Sequence, residues 1–493
     1  MDQCRGRQGN GDSVYHGHLS GKGSSVEAGV PLNSVKPALV DPLFKDLSPR
    51  HRLYINHFST LVCQDLVSFD QQDHSNPFRS VIALLGSFDY LREIILATSA
   101  VHMVTLRRSH GQPHHQQELI DALTARGRAY RLLREALGGH NTTTTPTTAH
   151  IVFIAVVFFI NFDLIDSGRG NWKTHLQAAG RLITSIQGST AASTTSRTAP
   201  TPPRAIAQLA DTVMADCITY HILGSVLTAP PPPPPPPPPE EDGDEDGSAA
   251  AAEGPLSAFT GIDIPAALQR AAAVSYGCFP PPMLDVLSRA GRLAAFVNGH
   301  ASSADAVVGE AAALMGQLRG VDVRAWVYGI EGLSPRDDLE VRVSMACAHR
   351  AAICLYVVLA VPDVVVVRYR SDHRLGGRDD DGYGPAECRL AREVLYHLAC
   401  VPVDHALAKG LIWPTFMAGA QVEDLASRQW CLGRMQRIWR SSPWSCPWGY
   451  VEAAMDMMQR VWEARDRKLE EGDRDGMNWL QEMRATADHV LIV

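Results

Sequence analysis

The sequence predicts an all-α fold, a large antiparallel multi-helix bundle or array, from three observations. Apolar residues recur at spacings of three and four along most of the chain, and helix start and stop signals flank those stretches. Strand-like alternation is nearly absent apart from Val364–Val367, which is too short to outweigh the helices. With 493 residues, 45% of them hydrophobic, the chain can bury the core that such an array requires.

Residues 1–45 are rich in Gly, Ser and other polar residues without periodicity, which predicts a disordered leader. Its cations Arg5, Arg7, Lys22, Lys36 and Lys45 are nearly balanced by Asp2, Asp12, Glu27 and Asp41, so it is not a basic DNA-reading arm. Residues 46–490 read as the helical domain. Ser48-Pro49 opens a helix with Tyr54, Phe58, Leu61, Val62 and Leu66 on one side. Asn76 as N-cap and Pro77 at the first position open the next, with Phe78, Val81, Ile82 and Leu85 on one face. Gly86-Ser87 ends it and Asp89 caps a third helix. Its stripe of Leu91, Ile94, Ile95, Thr98, Val101 and His102 runs to Arg107 and Arg108, cations at the negative end of the helix dipole. The spacing from Phe78 to Val101 predicts that these two helices pack as an antiparallel pair at the centre of the body. In Glu118–Leu137 the apolar set is Leu119, Leu123, Tyr130, Leu133 and Leu137, while Arg126, Arg128, Arg131 and Arg134 read as a solvated face. A Thr-rich loop at 142–148 leads into a buried helix whose apolar run, Ile151–Ile160, is too short to span a bilayer.

A helix at Trp172, a polar insert at Gly188–Pro203 and a helix at Arg204–Leu227 follow. Residues 228–256 then form a polyproline and acidic low-complexity insert, expected to loop out of the helical body. Pro230–Pro239 is an unbroken PPII-forming run, a candidate ligand for proline-motif-binding partners as well as a passive spacer. Asp242, Asp244, Asp246, Gly247 and Glu253 satisfy the EF-hand spacing, yet ten prolines stand where the entering helix is needed, so calcium binding is not expected. Further helices are predicted at Met283–Val297, Ser302–Leu318, Pro335–Val361, 386–400, 421–440, 448–470 and 474–486, with an exposed Asp/Gly loop at Gly376–Gly384.

A net charge of -8 excludes a global field that draws the chain to nucleic acid or acidic lipid. The ten cysteines contain no C-x-x-C pair, and most sit in apolar helical contexts as reduced core residues, which argues against a zinc ribbon or a disulfide framework. The first residues lack the apolar stretch of a secretory signal. No P-loop, H-E-x-x-H or G-x-S-x-G is present, so no catalytic site and no metal site is assigned. His102 and His175 lack metal-ligand spacing and read as packing histidines, and His114-His115 as solvent-facing. Trp413, Phe416, Trp430, Trp439, Trp444 and Trp448 concentrate aromatics near the C-terminus, as core first and as a ligand pocket second.

Three segments in order resemble the effector (middle-homology) domain of fungal zinc-cluster transcription factors. Asn76-Pro77-Phe78 followed by Ala97-Thr98-Ser99-Ala100-Val101-His102 is similar to its first motif. Asn171-Trp172-Lys173-Thr174-His175-Leu176-Gln177-Ala178-Ala179-Gly180 resembles its W-x-x-H-L-x-G-A segment, with Ala178 where glycine is usual. Trp413-Pro414-Thr415-Phe416-Met417-Ala418-Gly419-Ala420, followed by Arg428 and Trp430, resembles its W-P-x-F-x-A-G element. The resemblance spans about residues 48 to 485 and implies a nuclear transcription regulator whose helical domain takes a regulatory small-molecule ligand. It further implies assembly as a homodimer or with other transcription factors. The same resemblance implies zinc only in a six-cysteine cluster ahead of the helical domain. Only Cys4 precedes Cys63, so this chain as read cannot build that cluster, and no DNA-binding residue is assigned. Either the cluster is missing from the gene model or the protein is a member without one. The alternative reading is a helical interaction scaffold or co-regulator that never touches DNA. An enzyme ranks third.

Overall fold

The computed structural model describes residues 44–70, 76–113, 116–138, 146–193, 204–228, 259, 262–299, 304–333, 338–361, 385–440, 446–472, 478–486 and 489–493. Residues 1–43 of the expected leader, the polyproline-acidic insert from 229 with its EF-hand spacing, Val364–Val367, Trp444 and His114-His115 lie outside them. The helical body runs Leu47–Val493, and among its described residues there is no strand. The all-α class predicted from periodicity is what the chain forms.

Helix α1, Pro49–His57, begins as its sequence dictates: Ser48 Oγ accepts from the His51 amide at 3.1 Å with Pro49 behind it. A π-helical turn, Phe58–Val62, then leads into Cys63–Asp65. Tyr54, Phe58, Val62 and Leu66 are buried at four-residue spacing, whereas Leu61 is 40% exposed, because the π turn places it outside that face. Pro77–Leu84 is a 3-10 helix, not the predicted α-helix, capped by Asn76 Oδ1 on the Phe78 amide. Phe78 and Val81 stand three residues apart, a spacing that suits three residues per turn as well as 3.6.

The central helix of the first half is α2, Asp89–Ser109. Phe88, not Asp89, holds its N-cap position, and Asp89 supplies an acid in the first turn. Its partner is not the 3-10 segment. That segment packs against the later helix Arg204–Val226, and α2 pairs most extensively with α3, Gln116–Gly138. Gly111, at φ +66°, makes the reversal between α2 and α3 without Cβ strain. The face of α3 turned to α2 is Glu118, Ala122, Ala125, Ala129 and Leu133, whose small residues let two helices approach closely. Leu123, Tyr130 and Leu137, expected in the core, are exposed instead.

Helix α4, Pro146–Asp166, packs on α2 and on α5, Trp172–Ser193. It extends beyond the apolar run seen in the sequence. Thr148–Asp166 and Leu339–Ala360 are long and apolar enough to cross a membrane by length and composition, but 89% and 78% of those windows are buried inside the body. The array continues with α6 (Arg204–Val226), α7 (Ile264–Ala271), α8 (Pro281–Gly299), α9 (Ala304–Gly320) and α10 (Val323–Tyr328). It closes with α11 (Leu339–Ala360), α12 (Ala386–Ala399), α13 (Ile412–Gln421), α14 (Leu425–Arg440), α15 (Gly449–Glu470) and α16 (Trp479–Ala485).

Helix ends buried in such an array expose carbonyls that need donors. Five buried cations supply them. Lys409 reaches Gln64 O at the end of the first helical stretch (3.0 Å), and Arg484 reaches Val226 O at the end of α6 (2.7 Å). Arg342 spans Ala272 O and Ala273 O just past α7 (3.5 and 3.3 Å), and Arg434 takes Val401 O past α12 (3.0 Å). Arg465 takes Ala420 O, Gln421 O and Val422 O at the end of α13 (2.9–3.2 Å). None of the five has a carboxylate within 4.0 Å among the described residues. Helix-end carbonyls, rather than a directly paired carboxylate, receive their hydrogen bonds.

Candidate functional site

The motif segments that are distant in sequence meet inside the body through polar contacts. Asn76 Nδ2 donates to Cys63 O (2.8 Å), and Arg79 forks onto Asp70 while donating to Ser59 O (3.0 Å), so the Asn-Pro-Phe-Arg corner clamps the end of the first helical stretch. Next to it lies a buried chain of rings. Asp65 Oδ2 accepts from His102 Nε2 at 2.9 Å and from Trp448 Nε1 at 3.1 Å. His102 Nδ1 and His57 Nε2 lie 2.9 Å apart, within hydrogen-bond distance. Burial, with His102 beside it, lowers His57 to about 3 and keeps it neutral. Asp–His–His order resembles a proton relay, but no Ser or Cys nucleophile hydrogen-bonds to either ring among the described residues. The chain ties α1, α2 and Trp448, 383 positions from Asp65, into one unit.

A second cluster forms around His175. Arg126 Nη2 donates to Asp163 Oδ1 at 2.8 Å with its guanidinium over the Phe162 ring, while Tyr130 OH and His175 Nε2 are 2.7 Å apart. Burial pushes the Asp163 carboxyl up to about 7 against the pull of Arg126, and burial lowers His175 to about 4. An added Cβ at Gly170, φ +124°, would run into that carboxylate, so glycine belongs there. Both motif histidines thus hold protein groups in this structure.

The third motif is α13, every residue of which is buried. Trp413 stacks over His349 (ring centroids 6.3 Å), Phe416 meets Trp479 edge-on (5.8 Å), and Trp462 Nε1 donates to Gly419 O (2.8 Å). A Cβ at Gly419 would overlap Met458 Sδ and crowd Cys431. The aromatic concentration is therefore largely core. Of the described members, Trp430 lines an open trough of about 490 Å³ on α14, with Gln429, Gly433, Gln436, Arg437 and Arg440.

A groove of about 220 Å³ lies between α1, α2 and α3, lined by Tyr54, Glu93, Leu96, Asp121, Thr124 and Arg128 among others. Asp121 is engaged by Tyr54 OH (2.7 Å) and Arg50 (2.6 Å). Glu93 is 7% exposed, its Oε2 has no hydrogen-bond partner, and Arg92 Nε is 3.9 Å from Oε1. Nothing in the local sequence pattern marks Glu93. Arg126 and Asp163 were likewise invisible as partners. Among the described residues no group of three or more His, Cys, Asp or Glu side chains could hold a metal ion.

Comparison with known proteins adds the following. The model of the fungal specific transcription factor domain matches residues 52–492. The acriflavine sensitivity control protein acr-2 of Neurospora crassa is 40% identical over 469 residues, covering 94% of this chain and 70% of that protein. No solved structure matches the chain.

Proposed function

Because the chain belongs to the fungal-specific transcription factor domain family and is the effector domain of a transcription regulator, we propose that it acts in the nucleus through ligand and partner binding, without itself gripping DNA. It is no enzyme on this reading. The supporting observation is electrostatic. The net charge is -8, and several surface arginines are matched by acids: Arg270 with Asp211, Arg289 with Glu310, Arg324 with Glu340 and Arg428 with Asp466, all at 2.6–3.0 Å, which leaves the exposed arginines of α3 as a short run on one helix. Affinity for DNA comes largely from clustered cations that neutralise phosphates, and paired arginines supply little of it. In a gel-shift titration with genomic fragments, the purified chain is expected to give only weak, salt-sensitive retardation. Sequence-specific nanomolar binding that survives competitor DNA would overturn the reading.

The groove carrying Glu93 is the proposed effector site. A buried carboxylate oxygen without a hydrogen bond, as Glu93 Oε2 is, is costly, and a ligand donor with a positive charge offsets that cost, so the effector carries a positive group. The name of the Neurospora relative adds a physiological arm: a strain lacking this chain should change its tolerance of acriflavine. Unchanged growth across a concentration series counts against that arm alone.

A further inference from the structure

The amphipathic helix α3 has two apolar faces, and among the described residues the array buries one and touches the other mainly at Tyr130. Its alanine face is buried on α2, whereas Ile120, Leu123, Tyr130 and Leu137 are 46%, 54%, 37% and 58% exposed. Four of the ten large apolar side chains exposed among the described residues therefore sit on this one helix, while the others are scattered over the body. With Gly127 and Arg134 these positions run at spacings of three, four, three, four and three, the repeat of a coiled-coil seam. At the helical rise the seam is about 25 Å long. Nothing lies within 4 Å of the point where a Gly127 Cβ would stand, which leaves a notch beside Tyr130. Tyr130 is itself held in place by His175 at its hydroxyl and Phe159 against its ring.

The charges beside the seam are one-sided. Glu118 is spent on Arg107 (3.1 Å) and Asp121 on Arg50 (2.6 Å). Arg128, Arg131 and Arg134 remain exposed against Glu135 alone, which lies 3.8 Å from Arg131.

We propose that this seam is a docking surface for an acidic amphipathic helix of a partner protein. The partner's apolar stripe covers Ile120, Leu123, Tyr130 and Leu137, and its carboxylates meet Arg131 and Arg134. The proposal rests on the reading that the chain works through partners and names the surface and chemistry involved. Its failure is distinguishable from failure of that reading, because peptide selectivity and DNA retardation are separate readouts: loss of the first leaves the gel-shift result as it stands, and specific DNA binding leaves the peptide result as it stands.

The test uses the full chain and a fluorescently labelled three-heptad peptide with Leu at the two seam positions and Glu at the flanking ones. The Glu peptide is expected to bind at least about tenfold more tightly than the same peptide carrying Lys, a difference of about 1.4 kcal/mol. Leu123→Glu and Leu137→Glu should abolish that binding with unchanged thermal stability, since both sites are exposed. Leu469→Glu, at an exposed leucine of α15, should leave it intact. Equal binding of both peptides, or insensitivity to Leu123→Glu, overturns the proposal. Two further outcomes overturn it by naming a different occupant: a dimer in sedimentation that Leu123→Glu dissolves, and Leu123-dependent flotation with anionic vesicles.

Discussion

Buried titratable side chains give this protein opposing pH dependences that can be separated by substitution. Burial lowers His57 and His349 to about 3 and His175 to about 4, from an unfolded value of 6.5. The neutral form is the folded one, so each contributes stability above pH 6.5 that is lost as pH falls toward those values. Asp216 runs the other way: burial raises it from 3.8 to about 8, and its Oδ2 has no partner. Its contribution is complete below pH 3.8 and is lost as pH rises through 8, with a limiting slope of about 1.4 kcal/mol per pH unit. Asp216→Asn should therefore gain on the parent in melting temperature as pH climbs from about 4 to 8, whereas the cost of His57→Gln should shrink below pH 6.5. A pH-independent difference for Asp216→Asn would show that the carboxyl is ionised in the fold. At this scale the sequence was half legible. The helical setting of His102 and His175 marks them as packing residues, but Asp65 and Asp163, 37 and 12 positions from them, carry no local sign of the pairing.

At the scale of the element, apolar periodicity located most helices but assigned one face wrongly. In α3 the large leucines carry the apolar period, yet the alanines are buried, because α2 already supplies bulky Ile94, Ile95 and Val101 and close approach favours small partners. The 3-10 character of Pro77–Leu84 was hidden since three-residue spacing fits both helices. Short α7, α10 and α13 fell below the length at which a period can be recognised. Leu85, next to the 3-10 segment, is buried as its spacing predicted, and Leu85→Ala should cost about 2 to 5 kcal/mol in denaturant unfolding. Buried cation caps were illegible, as an arginine in an amphipathic stretch reads as solvent-facing. They predict a sharp contrast. Arg465→Met leaves three carbonyls of the α13 end without their donor and should cost about 2 to 4 kcal/mol. Arg324→Met removes an exposed pair with Glu340, which solvent screens, and should cost far less. Equal losses would deny the caps their role.

Across the whole molecule, the contacts that close the array join parts of the chain hundreds of residues apart. Lys409 holds Gln64, Trp448 holds Asp65, and Arg484 holds Val226. The all-α class followed from sequence pattern alone, but no pattern specifies which helix meets which, and these tertiary links are what sequence reading could not supply. The last residues show the consequence. Val490, Leu491, Ile492 and Val493 are buried. Leu491 N donates to Gly168 O at 2.8 Å, Tyr450 OH donates to Val493 O at 3.2 Å, and the Leu491 side chain lies beside Gly224 of α6. Gly168, at φ +67° and packed against Tyr450 and Val490, has no room for a Cβ. This tail therefore joins the α4–α5 turn, α6 and α15, and four apolar side chains leave water with it. Deleting Val490–Val493 should lower the melting temperature by several degrees while the remaining body still unfolds in one transition, because the His102 and Lys409 links stay in place. Two resolved calorimetric transitions in the intact body would show instead that its halves are independent, and an unshifted transition after the deletion would remove the tail from the core.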